Sequence, residues 1–159
     1  MSVEEPAKVV ARALASFVPR LARNIAVALQ EEPNLLLSLR QLRILERLAE
    51  RPHRTNELAV QSMVSQPTAT AAIAPLELRG LIVRRPDPED GRAHLIEITA
   101  TGREVLKTAH ERIERRLLDV VGEVSAEEAE AVDRLQALLI EGMDVARANR
   151  AARGAVVRE

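Results

Sequence analysis

Three arginines, Arg84, Arg85 and Arg92, surround the stretch Pro86-Asp87-Pro88-Glu89-Asp90-Gly91. A guanidinium group is a planar fork of donors that fits the oxygens of a phosphate or the edge of a guanine. A second set lies upstream: Ser65, Gln66, Thr68 and Thr70 place short polar side chains within six residues. Such side chains hydrogen-bond base edges and sugar-phosphate oxygens. Arg54 and the acidic Asp90 complete the set, with Asp90 placed to orient Arg92 through a local charge-assisted bond. The chemistry these residues share is recognition of a nucleic acid, not bond breaking.

The elements that must position them can be read from the pattern. Asp90-Gly91 is a turn signal, because glycine accepts positive φ and aspartate bonds its own backbone. Ile82 and Val83 on one side and Leu95, Ile96 and Ile98 on the other supply two strand arms, with Pro86 and Pro88 expected in the loop between them. Before this hairpin, Thr55 is expected to cap a helix through Gln61 with Leu58 and Ala59 inward. Ser62-Met63-Val64 then turns, and Ser65 caps a second helix with Pro67 in its first turn. On that second helix Ala69, Ala72, Ile73 and Leu76 fall on one side. Pro67, Thr68, Ala71, Ala74, Pro75 and Leu78 fall on the other. Pro75 removes one helical bond at a cost of about 3 kcal/mol, so a kink between Ala71 and Pro75 is expected. Helix, tight turn, helix and hairpin form a winged helix-turn-helix. The second helix would enter a major groove, and the hairpin would meet the minor groove or phosphates.

Glu57-Leu58-Ala59, Ser65 to Thr70, Leu76 to Arg84, Asp90-Gly91-Arg92 and Ile98-Thr99-Ala100-Thr101-Gly102 occur in an order and spacing that resemble the multiple-antibiotic-resistance regulator (MarR) family. These are dimeric winged-helix transcription factors. The resemblance implies a regulator of transcription, more often a repressor, that binds double-stranded DNA through Arg54, Ser65, Gln66, Thr68, Thr70, Arg84, Arg85, Asp90 and Arg92. It further implies release by a small phenolic or lipophilic effector held between the dimerisation helices and the reader, where Phe17, Leu21, Asn24, Leu42 and His110 would line a pocket. The chain departs from the family at Ala71 and Pro75, where basic residues are usual. Base reading then falls to Gln66, Thr68 and Thr70, to alanine contacts with thymine methyls, and to groove shape. The alternatives are a winged-helix module that docks on a protein through the uncharged face of Ala71, Ala74, Pro75 and Leu78, and an architectural DNA binder that senses no ligand.

Composition sets the bounds. The net charge of −1 over 159 residues gives no general basic field, but it is unevenly spread. Residues 38–103 hold ten arginines against eight carboxylates, while residues 104–159 hold nine basic and twelve acidic groups. DNA affinity should therefore come from a few placed arginines and fall steeply with salt. Arg40, Arg43, Arg47, Arg51 and Arg54 recur at helical spacing, which suits either a phosphate-positioning stripe or a self-paired face. Glu46 and Glu50 lie within pairing reach, so the self-paired face is expected, with Arg54 as the exception. With no cysteine, disulfides and thiol sensing are excluded. His53, His94 and His110 lack metal-ligand spacing, and no phosphate loop or nucleophile elbow occurs. We expect no enzyme activity, cofactor, metal or membrane span, and a cytoplasmic location.

Amphipathic stripes occupy both ends. Val10, Leu14, Phe17, Leu21, Ile25 and Ala28 follow Pro6, with Pro19 expected to bend the helix. Leu106 to Val124 carries a second stripe, and Ala129 to Ala146 a third behind a Ser125 cap. A mainly α fold with a small β-hairpin wing follows. Its parts are an N-terminal dimerisation helix (1–37), a winged helix-turn-helix (38–103) and C-terminal dimerisation helices (104–159). Such stripes need partner surfaces, and a two-fold homodimer supplies them.

Overall fold

The structure is a computed structural model that describes residues 5–33, 35–62, 64–90 and 93–156. The chain parts into two compact units, Met1–Asp119 and Val120–Glu159.

The first unit opens with helix α1 (Pro6–Gln30), begun by Pro6 as expected and continuing through Pro19. Helix α2 (Leu39–Glu50) starts at a capping box: the Ser38 hydroxyl accepts the Gln41 N–H, and the Gln41 side chain accepts the Ser38 N–H. Strand β1 (His53–Arg54), helix α3 (Thr55–Gln61) and helix α4 (Gln66–Leu78) follow, then strands β2 (Ile82–Pro86) and β3 (His94–Ile98) and helix α5 (Ala100–Val121). The sheet is antiparallel in the order β1-β3-β2, with Arg84 opposite Ile96 and Arg54 opposite Leu95. One core gathers Leu29 from α1, Ile44, Leu45 and Leu48 from α2, Leu58, Ile73 and Leu76 from the helix pair, and Ile82 and Ile96 from the sheet. In the second unit, helix α6 (Ala126–Val156) starts at a second capping box made by Ser125 and Glu128. It leaves Val132, Leu138, Ile140 and Met143 exposed.

Two junctions fix the wing to the helix pair. At the end of α4, Gly80 takes φ 67°, its N–H bonds the Glu77 carbonyl at 2.9 Å, and the Leu81 N–H reaches back to Leu76 at 2.9 Å. That pattern needs a left-handed residue, which glycine supplies without a Cβ clash. At the start of α5 the Thr99 hydroxyl donates to the Gly80 carbonyl at 2.7 Å and accepts the Gly102 N–H at 3.0 Å. The Thr99 N–H bonds the Leu81 carbonyl at 3.0 Å. The Thr-x-x-Gly spacing thus ties both ends of the hairpin together.

Several expectations change. Strand β1 was not foreseen, and Pro52 accounts for it. A residue before proline is driven out of the α region, and Arg51 sits at φ −163°, ψ 163°. The helix therefore ends at Glu50, and the five arginines do not share one helical face: Arg40, Arg43 and Arg47 lie on α2, Arg51 beyond it, and Arg54 in the sheet. Thr55 lies inside α3 and Arg54 holds the cap position without a side-chain cap bond. Pro86 belongs to β2 rather than the loop; β2 is an edge strand, where a missing donor is tolerated.

A Cβ built on Gly102 would stand 2.0 Å from the Leu81 carbonyl oxygen and 2.8 Å from Ile98 Cγ1. The first of these is backbone and cannot swing away. Gly102→Ala should cost about 2–3 kcal/mol, read as a lower urea midpoint at unchanged slope; an unshifted midpoint would refute this close packing.

Candidate nucleic-acid interface

Helix α4 is built to expose one face. Ala69, Ile73 and Leu76 are buried and Ala72 half-buried, while Gln66, Pro67, Thr70, Ala71, Ala74, Pro75 and Leu78 are exposed, Leu78 to 90%. Ser65 caps its start by accepting the Thr68 N–H at 3.3 Å, and the Ser65 and Thr68 hydroxyls share a bond of 2.7 Å. The Thr70 hydroxyl donates to the Gln66 carbonyl at 3.0 Å. It keeps acceptor capacity, as any hydroxyl does. Gln66 is the exposed polar side chain of the helix that has no side-chain bond among the described residues. Of the four readers expected on this element, Gln66 therefore has both donor and acceptor available, and the hydroxyls are partly engaged in shaping the turn.

The arginines near α4 are engaged differently. Arg84 Nε donates to both Glu77 oxygens, at 3.2 and 3.0 Å, which ties the hairpin to α4. Arg79 reaches from the end of α4 to the Leu35 and Leu36 carbonyls, at 2.7 and 3.3 Å. There it holds Leu36, which has a left-handed φ of 38° that costs strain in any residue but glycine. Arg85 Nε pairs with Glu97 across the ribbon at 3.0 Å and is largely exposed. Arg47 pairs with Glu50 and Arg51 with Glu57.

Arg54 and Asp87 make the tightest junction. Arg54 Nε donates to Asp87 Oδ2 at 2.7 Å, joining β1 to the root of the wing. Asp87 is nearly buried, and its Oδ1 accepts the Glu89 N–H at 2.9 Å. The Asp87 N–H bonds the Ala93 carbonyl at 3.0 Å and the Ala93 N–H bonds the Asp90 carbonyl at 2.8 Å, closing the loop. The backbone N–H of Glu89, with Arg54 and the Asp90 N–H adding to it, holds the Asp87 carboxyl below its ordinary value against the opposing effect of burial. Asp90 is exposed near the tip; Arg92, its expected partner, lies outside the described residues, as does Gly91. Beside this junction, buried His53 places Nδ1 3.0 Å from Glu57 Oε2. Burial pushes the Glu57 carboxyl up, but His53 and Arg51 outweigh it and hold it down.

The residues expected to line an effector pocket are not brought together within this unit. Leu42 is in the core, Leu21 half-buried and Phe17 51% exposed. Asn24 borders an open hollow of about 420 Å³ with Pro19, Arg20, Arg23, Val27 and Arg116, and Arg116 Nε donates to Asn24 Oδ1 at 3.0 Å. His110 borders a different hollow, with Ala49 and Leu106, and its Nε2 meets Glu46 at 3.0 Å. Sequence reasoning also passed over Asp87, Glu77 and Arg79 as positioning groups. Their partners lie 33, 7 and 43–44 residues away, too far for a local pattern to show.

Comparison with known proteins matches this geometry. A family model described as the MarR family fits residues 37–94. An uncharacterized HTH-type transcriptional regulator of Mycobacterium leprae is 30% identical over 132 residues, 82% of this chain and 90% of that protein. The crystal structure of the transcriptional regulator BldR from Sulfolobus solfataricus is 28% identical with a TM-score of 0.69, covering 89% of this chain and 99% of that one. A crystal structure of MarR shares the fold with a TM-score of 0.76 at 24% identity, over 94% and 98% of the two chains.

The lowered Asp87 value sets a pH dependence. A carboxyl whose folded value lies below its unfolded value contributes stability that is fully present above about pH 4 and is lost as pH falls through the folded value. Asp87→Asn should therefore lower the melting temperature at pH 7 and flatten the loss of stability as pH falls below about 4. Parallel melting curves for the two proteins across that window would remove Asp87 from its proposed place.

Proposed function

The chain belongs to the MarR family of winged helix-turn-helix transcriptional regulators, and on that premise we propose that it acts as a repressor, binding operator DNA as a two-fold dimer. Membership makes it a DNA-binding regulator rather than an enzyme. The observation that carries the finer reading is α4: a capped helix, anchored by Ile73 and Leu76, whose opposite face is exposed along its length beside an arginine-bearing ribbon. In this reading Gln66, Thr68, Thr70 and Ser65 address the major groove. Arg85 and Arg92 address the minor groove or phosphates, and Arg84 and Arg54 hold the wing at the angle this needs.

The dimer is supported by apolar surface. Val9, Phe17 and Val18 on α1, and Val132, Leu138, Ile140 and Met143 on α6, are exposed in the single chain. Residues 1–37 and 104–159 would bury them against a second copy, setting two α4 helices about one DNA turn, roughly 34 Å, apart. No helix among the described residues is long and apolar enough to cross a membrane.

For the effector, the hollow at Asn24 is the better supported of the two. Arg20, Arg23 and Arg116 surround it, which favours a carboxylate-bearing aromatic molecule over a neutral lipophilic one. Salicylate at millimolar concentration should raise the melting temperature of the wild type and not of Arg23→Ala; equal shifts in both would refute this site.

With no charge on the outer face of α4, base reading rests on Gln66 and on contacts between Ala71, Ala74 or Pro75 and thymine methyls. A duplex enriched from a random pool, remade with uracil for thymine in its half-sites, should lose about fourfold in affinity for each methyl contacted. No enrichment of any sequence, and no mobility shift at low salt, would overturn the DNA-binding reading itself.

A further inference from the structure

We infer that Arg40, at the start of α2, is a phosphate-gripping residue that fixes where α4 sits along the groove; the inference rests on the DNA-binding reading above. Spacing against Glu46 and Glu50 made the arginine series from Arg40 to Arg54 read as a self-paired face. The pairing is partial. Arg47 is taken by Glu50, Arg51 by Glu57 and Arg54 by Asp87. The carboxylate within pairing reach of Arg43, Glu46, is turned to His110 instead. Arg40 and Arg43 are exposed and have no ion-pair or hydrogen-bond partner among the described residues.

Only Arg40 of these two borders the reader. It lines an open hollow of about 700 Å³ together with Ser38, Leu39 and Gln41 of α2 and Pro67, Thr68, Ala71 and Ala72 of α4. The far wall of that hollow is the exposed flank of the recognition helix. The two walls are held in place: α2 starts at the Ser38–Gln41 capping box, and the Gln41 amide reaches the Ala72 carbonyl at 3.5 Å. A helix lying in a major groove has a phosphate backbone along each flank. On this flank the surface offers a free guanidinium at the edge of a cleft and no carboxylate among its lining residues. The occupant that fits is one phosphate of the strand running past α4.

A contact of this kind differs from a general positive field. Removing any exposed arginine weakens a field about equally, whereas removing a phosphate contact lowers affinity and takes about one unit from the salt slope. Arg43, one turn further along the same helix and outside the hollow, separates the two cases. Arg40→Ala should weaken binding to both a pool-selected duplex and a random duplex by about tenfold at moderate salt and reduce the slope of log K against log salt by about one. Arg43→Ala should leave the slope in place, and Arg40→Lys should restore it. Phosphate ethylation of the selected duplex should show one modified position per half-site that impairs the wild type and has no further effect on Arg40→Ala. Equal losses in Arg40→Ala and Arg43→Ala, or an ethylation footprint that is the same for wild type and Arg40→Ala, would overturn this assignment while leaving DNA binding intact. A wild-type protein that shifts no duplex at low salt would overturn both.

Discussion

The carboxylate of Asp87 is the constraint on which the interface depends. It is nearly out of solvent at the root of the wing, and its oxygens are met from two directions, by the Glu89 N–H and by Arg54. A charge in such a place is tolerable only when paired and hydrogen-bonded, so the loop must close as it does and β1 must lie where Arg54 can reach. Once β1 is fixed, its register against β3 follows, with His53 opposite Ile96 and Arg54 opposite Leu95. Strand β3 pairs on its other edge with β2, placing Arg84 where it meets Glu77 of α4. One buried carboxylate thus connects the wing, the sheet and the reader into a single body.

That architecture uses arginine for structure more than for binding. Arg54, Arg79 and Arg84 each bridge two elements, adding directional bonds to the apolar core the elements share. Arginine suits this because its fork bonds two acceptors at once and loses less freedom per bond than lysine. The consequence is that the proposed DNA-facing surface holds few unpaired cations among the described residues, on a chain whose net charge is −1. Recognition must then depend on where each remaining group stands, and the rigid junctions at Gly80, Thr99 and Gly102 are what keep those positions fixed.

Local signals in the sequence were enough for most of the elements. Pro6, Ser65 and Ser125 start helices because an N-terminus needs either no donor or an extra acceptor, and both needs are met within three residues of chain. The hairpin was legible in its arms, and the junction in Thr99 to Gly102. Strand β1 was hidden because two residues carry no alternation, and its existence depends on Pro52 and on a partner more than 40 residues away. The arginine series misled for the same reason: spacing alone showed five residues on one face, and proline geometry cut the helix after the third. Partner choice was the least legible feature. Whether an arginine faces solvent or a carboxylate is decided by tertiary placement, so neither the tie from Arg84 on the hairpin to Glu77 nor the tie from Arg54, read as the last of the arginine series, to Asp87 showed in the spacing.

A reader with so few free groups argues for pairing. Each α4 brings one side-chain amide, two partly engaged threonines and an apolar face, and its flank brings Arg40. Taken alone, such a set gives little margin over nonspecific attraction to a polyanion. Two copies joined rigidly convert the second encounter into an intramolecular one, which multiplies affinity without any new contact. The exposed apolar residues of α1 and α6 have no use in a solitary chain and would be a liability for solubility. The sparseness of the proposed DNA-facing surface among the described residues and the apolar surface exposed on α1 and α6 are therefore complementary properties: the second would supply the dimer that the first requires.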